Sequence, residues 1–263
     1  AARIPDGASL ALAPDYSGCS LAVVRALLQR GARGLHLIGV PQLGYQADLL
    51  IGAGCVASVE SAAVTLGEFG PAPCFNRAIK EGRIEIKDST CPVIHAGLQA
   101  AEKGIPFMPL RGVLGSDLIA HRPDWKIINN PYGDNPYGDG DPILLAPRIQ
   151  PDIALFHAAK ADHDGNVWIG VRRELMLMAH AAKTTLVTVE DISQTGLLED
   201  DAIAAGVIPA LYIEAVAMVP KGAKPLGVRG CYPADTADLH DYARLAKTKD
   251  GFERYLEQLM AFA

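Results

Sequence analysis

Aromatic residues are scarce in this chain: Phe, Trp and Tyr make up 6% of 263 residues, and only two are tryptophan. Cysteine is scarcer still, at positions 19, 55, 74, 91 and 231. The number is odd, the spacing wide, and no C-x-x-C pair occurs, which excludes a disulfide framework and a zinc site of that type. The seven histidines show no H-E-x-x-H spacing, so no metal is expected. Neither a G-x-S-x-G elbow nor a Walker A loop is present, and the isolated Gly52-Ala-Gly54 is too short to argue a dinucleotide site. Positive charge is in the minority, 24 Lys and Arg against 30 Asp and Glu, for a net charge of −6. With no basic run, nucleic acid is excluded as an expected partner. No apolar run reaches the roughly 18–20 residues that span a bilayer, so no membrane association is expected. The opening residues show no signal-peptide pattern, and reduced thiols fit a cytoplasmic protein. The chain begins at Ala1 without Met, so residues upstream of it are expected to be missing.

What is present suits a large core: 49% of residues are hydrophobic and 21% charged. Short apolar runs at 9–13, 35–39, 56–59, 84–87, 153–159, 185–189 and 212–219 read as strands. Between them, 21–29, 47–51, 76–81, 92–103 and 175–182 read as helices, several stopped by glycine, and an amphipathic helix with Phe252, Tyr255, Leu256, Leu259 and Met260 on one face ends the chain. Strand-helix alternation with short connections predicts an α/β fold, a mostly parallel sheet with helices on both faces. No linker interrupts it, so residues 1–263 read as one domain. The segment 129–142 repeats Asn-Pro-Tyr-Gly-Asp in tandem and reads as a long surface loop, either functional or a solvated excursion.

Several residues have two readings. Arg111, on a loop with Gly112 and Gly115, suits bidentate binding of a carboxylate or phosphate, and equally a structural ion pair. Ser116 and Asp117 beside it offer polar contacts or a helix cap. Asp88, the only acid in the loop 88–92, reads as a cap. Ser17 and Gly18 precede a helix whose free N–H groups suit an anion. Asp162 and Asn166, after a buried strand, hold a turn or line a site rim. His157 reads as a satisfied core histidine. Glu60 and Glu68 read as solvated acids or as a second-site acid.

Three stretches carry a resemblance: Gly104-Ile-Pro-Phe-Met-Pro-Leu-Arg111-Gly-Val-Leu-Gly115-Ser116-Asp117, Pro151 through Val167, and Val216 through Tyr232. In this order and spacing they resemble the A subunits of class I coenzyme A transferases, in the glutaconate-CoA-transferase-like branch. That branch includes hydrolases acting on steroid-ring CoA thioesters. The resemblance implies a CoA-transferase-type fold, an acyl-CoA and a carboxylic acid as substrates, and no permanently bound cofactor. It also implies a B subunit, in a heterodimer or heterotetramer, that carries the nucleophilic glutamate; no nucleophile is assigned to this chain. Substrate contacts would fall to Arg111, Gly115, Ser116, Asp117, Ser17 and Gly18. In the steroid-ring hydrolases of that branch the stretch matching 88–92 carries acids implied to be catalytic, which makes Asp88 a catalytic candidate by resemblance. The sequence departs from the family pattern twice: Ala13–Ser20 replaces a Gly-Gly-aromatic loop, and Cys91 stands where a carboxylate is expected. A hydrolase on the same scaffold, and more remotely a non-catalytic binding protein, are the alternatives.

Overall fold

The computed structural model describes residues 1–132 and 140–261. In chain order the elements are β1 (Ser9–Leu12), α1 (Leu21–Arg30), β2 (Leu35–Gly39), α2 (Tyr45–Gly52), β3 (Val56–Ser61), α3 (Pro73–Lys80), β4 (Glu85–Asp88) and α4 (Cys91–Glu102). There follow β5 (Phe107–Leu110), α5 (Leu118–His121), β6 (Lys126–Asn129), β7 (Pro142–Pro147), β8 (Ile153–Asp162), β9 (Val167–Trp168), α6 (Arg173–Ala181) and β10 (Thr184–Ser193). The chain closes with β11 (Val207–Ile208), β12 (Ala215–Met218), α7 (Thr236–Leu245) and α8 (Lys249–Ala261).

Seven strands, β12-β10-β8-β1-β2-β3-β4, pair in parallel. The short β9 and β11 add antiparallel to the end of β8. Strand alternation sends Leu10, Leu12, Leu35, Leu37 and Leu155 to one face, where α1, α2, α7 and α8 cover them. Ala11, Ala154, Phe156, Val187 and Val189 face the other way, onto α4 and α6. The expected α/β architecture is therefore present. Glycine ends helices where the sequence suggests: Gly31, at φ 67°, donates its N–H to the α1 carbonyls of Leu27 and Leu28.

A second sheet was not apparent from the strand pattern. β5 and β6 pair antiparallel with the two sides of β7. Their core is small: Leu144, Ala146, Val113 and Trp125 against Val93 and Ala96 of α4. The opposite side of α4 presents Ile94 and Leu98 to the large sheet, so this helix lies between the two. The repeat segment 129–142 joins β6 to β7; its residues 133–139 lie outside the described residues.

Candidate functional site

β1 ends at Leu12, and the chain departs from the sheet through Ala13–Ser17 before returning to it at Gly18. There the Gly18 carbonyl accepts from His157 N–H on β8 at 2.8 Å. Gly18 has φ +96°, and a Cβ on it would stand 2.1 Å from the His157 carbonyl oxygen. Only glycine meets both demands. The Gly18 N–H makes no hydrogen bond among the described residues.

This loop forms one wall of a cleft of about 350 Å³ at the carboxyl ends of the parallel strands, where open α/β sheets bind ligands. Trp168, Arg172 and Leu175 form a second wall, and the turn Gly227–Gly230 a third. The Arg172 guanidinium lies 5.4 Å over the Tyr16 ring. Ser17 donates to the Glu174 carboxylate in the first turn of α6. Burial first, then the negative charge of Glu174, raise the pKa of Tyr16.

Beneath the cleft runs a buried polar chain. His157 Nδ1 lies 2.8 Å from Thr188 Oγ1, which lies 2.7 Å from Ser20 Oγ. His157 Nε2 lies 2.6 Å from Glu190 Oε1. Glu190 also accepts from Tyr232 Oη at 2.6 Å and from Lys221 N–H at 2.7 Å. Burial lowers the His157 pKa despite Glu190, so the ring is neutral at pH 7. A neutral ring donates from Nε2 to Glu190 and accepts at Nδ1 from Thr188, which in turn accepts from Ser20. Burial works to raise the Glu190 carboxyl, but three donors, Tyr232 first, hold it below its ordinary value. Every polar group here has its partner, and the network ties β8, β10 and the 221–232 segment into one rigid floor.

Of the residues singled out in the sequence, Ser17 and Gly18 line this cleft. Arg111 lies elsewhere, in a fork on Asp141: Nη2 is 2.8 Å from both carboxylate oxygens and Nε 3.1 Å from Oδ1. Asn130 adds a 2.7 Å bond to the same carboxylate. The Arg111 bond first, then that of Asn130, lower the Asp141 pKa. Gly115 is a left-handed turn residue at φ +82°, and Ser116 Oγ donates to the Val113 carbonyl. Asp117 precedes α5 without a side-chain capping bond. Asp88 ends β4, exposed, with Oδ1 accepting from Ser89 N–H at 2.9 Å. Cys91 opens α4, exposed. Glu60 pairs with Arg122, and Glu68 sits in a surface turn. Asp162 accepts from three backbone N–H groups and from Asn166, whose carbonyl oxygen holds Ala210 N–H. Both are turn builders. Sequence reasoning missed Glu174, Arg172, Thr188, Glu190 and Tyr232. The one signal available was polar residues at 188 and 190 finishing an apolar strand.

Residues 1–218 match the family described as coenzyme A transferase. The chain belongs to that family. It is 30% identical over 266 residues to the A subunit of 3-oxoadipate CoA-transferase from Pseudomonas knackmussii, covering 97% of this chain and 88% of the relative. An uncharacterized protein of Archaeoglobus fulgidus is 30% identical over 242 residues, 91% of this chain, and this chain spans about half of its length, 52%. The cholesterol ring-cleaving hydrolase IpdA subunit of Rhodococcus jostii is 29% identical over 244 residues, covering 90% of this chain and 80% of that one. Among solved structures, glutaconate coenzyme A-transferase from Acidaminococcus fermentans superposes with a TM-score of 0.87 at 26% identity, covering 99% of this chain and 86% of that chain. A variant of the decarboxylase AibA/AibB gives 0.85 at 30%, covering 99% and 95%. Coenzyme A transferases are enzymes, and the cleft over Gly18 is this member's candidate active site. No helix among the described residues is long and apolar enough to cross a membrane.

Proposed function

We propose that this chain is the A subunit of a coenzyme A transferase that moves CoA from an acyl-CoA to a carboxylic acid. The observation that carries the reading is the cleft at the carboxyl end of β1, where the Gly18 N–H has no partner among the described residues and stands beside Ser17 on a scaffold matching glutaconate coenzyme A-transferase. The partner is a B subunit, in keeping with relatives named as A subunits. Its glutamate carboxylate attacks the thioester carbonyl, expelling CoA thiolate and leaving an acyl-glutamyl anhydride. The thiolate then attacks the glutamyl carbonyl of that anhydride, releasing the first acid and leaving a glutamyl-CoA thioester, from which the second acid takes CoA by the reverse steps. This chain supplies the acyl pocket, and the Gly18 N–H donates to the oxyanion that forms in each attack. Among the candidates from the sequence, Ser17 and Gly18 hold this role, and Arg172 replaces Arg111 as the cation at the pocket. Five unpaired cysteines support a cytoplasmic setting.

Glu174, held against Ser17 at the cleft, favours one second reading, a hydrolase in which this carboxylate activates water. The test is turnover of acyl-CoA by the chain with its B partner, with and without an acceptor acid. Transfer requires the acceptor, and the CoA mass appears on the partner's glutamate when the acceptor is withheld. Free CoA formed by water alone would replace the transferase reading with the hydrolase. Release of CO₂ would replace both.

A further inference from the structure

A parallel sheet covered on both faces is normally apolar on both. Over β2, β3 and β4 one face keeps that rule, with Leu35, Leu37 and Val59 in the core. The opposite face does not. His36 stands across from Ser58, and Glu60 across from Lys87, so a polar strip crosses three adjacent strands. Arg122–Trp125 and Pro147–Gln150 roof this strip and leave a cleft of about 420 Å³ that shares no lining residue with the cleft over Gly18. The volume suits a small molecule.

The charges inside sort into engaged and available. Arg122, 4% exposed, binds Glu60 at 2.7 Å, Asp124 at 2.8 Å and the Asp88 carbonyl at 2.9 Å, and lies 4.6 Å over the Trp125 ring. Both carboxylates of the cleft are thereby taken up. Lys87 on the floor and Arg148 on the roof form no ion pair among the described residues, although Lys87 lies near Asp124. The Trp125 indole N–H is buried with no acceptor among the described residues. His36 Nδ1 and Ser58 Oγ lie 2.6 Å apart on the floor. In a chain of net charge −6, this cleft holds three full positive charges against two negative.

We propose that this cleft is a second ligand site, and that it takes a small dianion bearing carboxylate or phosphate oxygens, gripped between Lys87 and Arg148. Arginine offers the paired donors such oxygens accept, and lysine a point charge opposite. The site lies apart from the candidate active site, so its occupant is an effector or structural anion rather than the acyl group.

The two tryptophans make the test direct, since Trp125 lines this cleft and Trp168 the other. A Trp168→Phe chain is titrated at low ionic strength with succinate, inorganic phosphate and pyrophosphate, chloride serving as the control, and Tm is followed in parallel on the unsubstituted chain. The expected result is a saturable change in Trp125 emission and a rise in Tm with at least one dianion. Lys87→Gln and Arg148→Gln, both at exposed positions, weaken that binding about ten-fold or more each. Response to succinate alone identifies a carboxylate ligand, and response to the phosphates alone a phosphate. No saturable change by about 10 mM, an equal response to chloride, or curves unaltered in both variants would overturn the site.

Discussion

Gly18 shows what one residue can demand. Its positive φ and the His157 carbonyl 2.1 Å from a would-be Cβ act together. Gly18→Ala should cost about 1–3 kcal/mol from backbone conformation alone, with the overlap adding to it. The check is Tm by calorimetry together with turnover, both of which should fall. Asp15, three residues earlier, caps α2 by accepting Tyr45 N–H at 2.9 Å and 3.0 Å. Burial first raises its pKa to about 7, against the stabilising Tyr45 bond. A raised carboxyl binds its proton more tightly folded than unfolded, so its contribution is complete below about pH 4 and is lost as pH climbs towards 7. At about 1.4 kcal/mol per unit, that is a loss of a few kcal/mol. Asp15→Asn should flatten this part of the stability-pH curve, read as the difference in Tm between variant and parent at pH 5 and pH 8. Neither feature was legible beforehand. The sequence shows Gly18 as a flexible position, but its crowding neighbour lies 139 residues away. Arg111 is a similar case: a fork-shaped cation was visible, but not that Asp141 would occupy the fork.

At the scale of elements, the parallel strands and their helices were legible because their signals are local. Alternating burial, apolar helical faces and glycine stops lie within a dozen residues of one another. The small antiparallel sheet was not. β5 contains Pro109, β7 begins and ends on proline, and β6 has four exposed residues. Such segments carry neither clean alternation nor high strand propensity, and they become strands only by packing on α4. Arg122 joins the parts, reaching Glu60 on β3 and the end of β4 from the segment before β6. Arg122→Met removes the partner of a half-buried carboxylate and should destabilise by about 2–3 kcal/mol. Adding Glu60→Gln to it should restore part of that loss, a coupling that denaturant melts of the two single variants and the double variant would measure.

For the whole molecule, the sequence conveyed the architecture and pointed to the β1–α1 loop that lines the candidate site, while that cleft's other walls came from 168–175 and 227–230, far along the chain. The placement of α4 between the two sheets has a further result. Val93 and Leu98 lie on its two sides, one in each core. Loosening either core unseats the helix that seals the other. Val93→Ala and Leu98→Ala should therefore lower one shared calorimetric transition, by about 1–3 and about 2–5 kcal/mol, without splitting it in two. A separate early transition in Val93→Ala would show that the small sheet melts alone. A single shared transition would instead make the three-stranded sheet a brace on the larger one, held through α4.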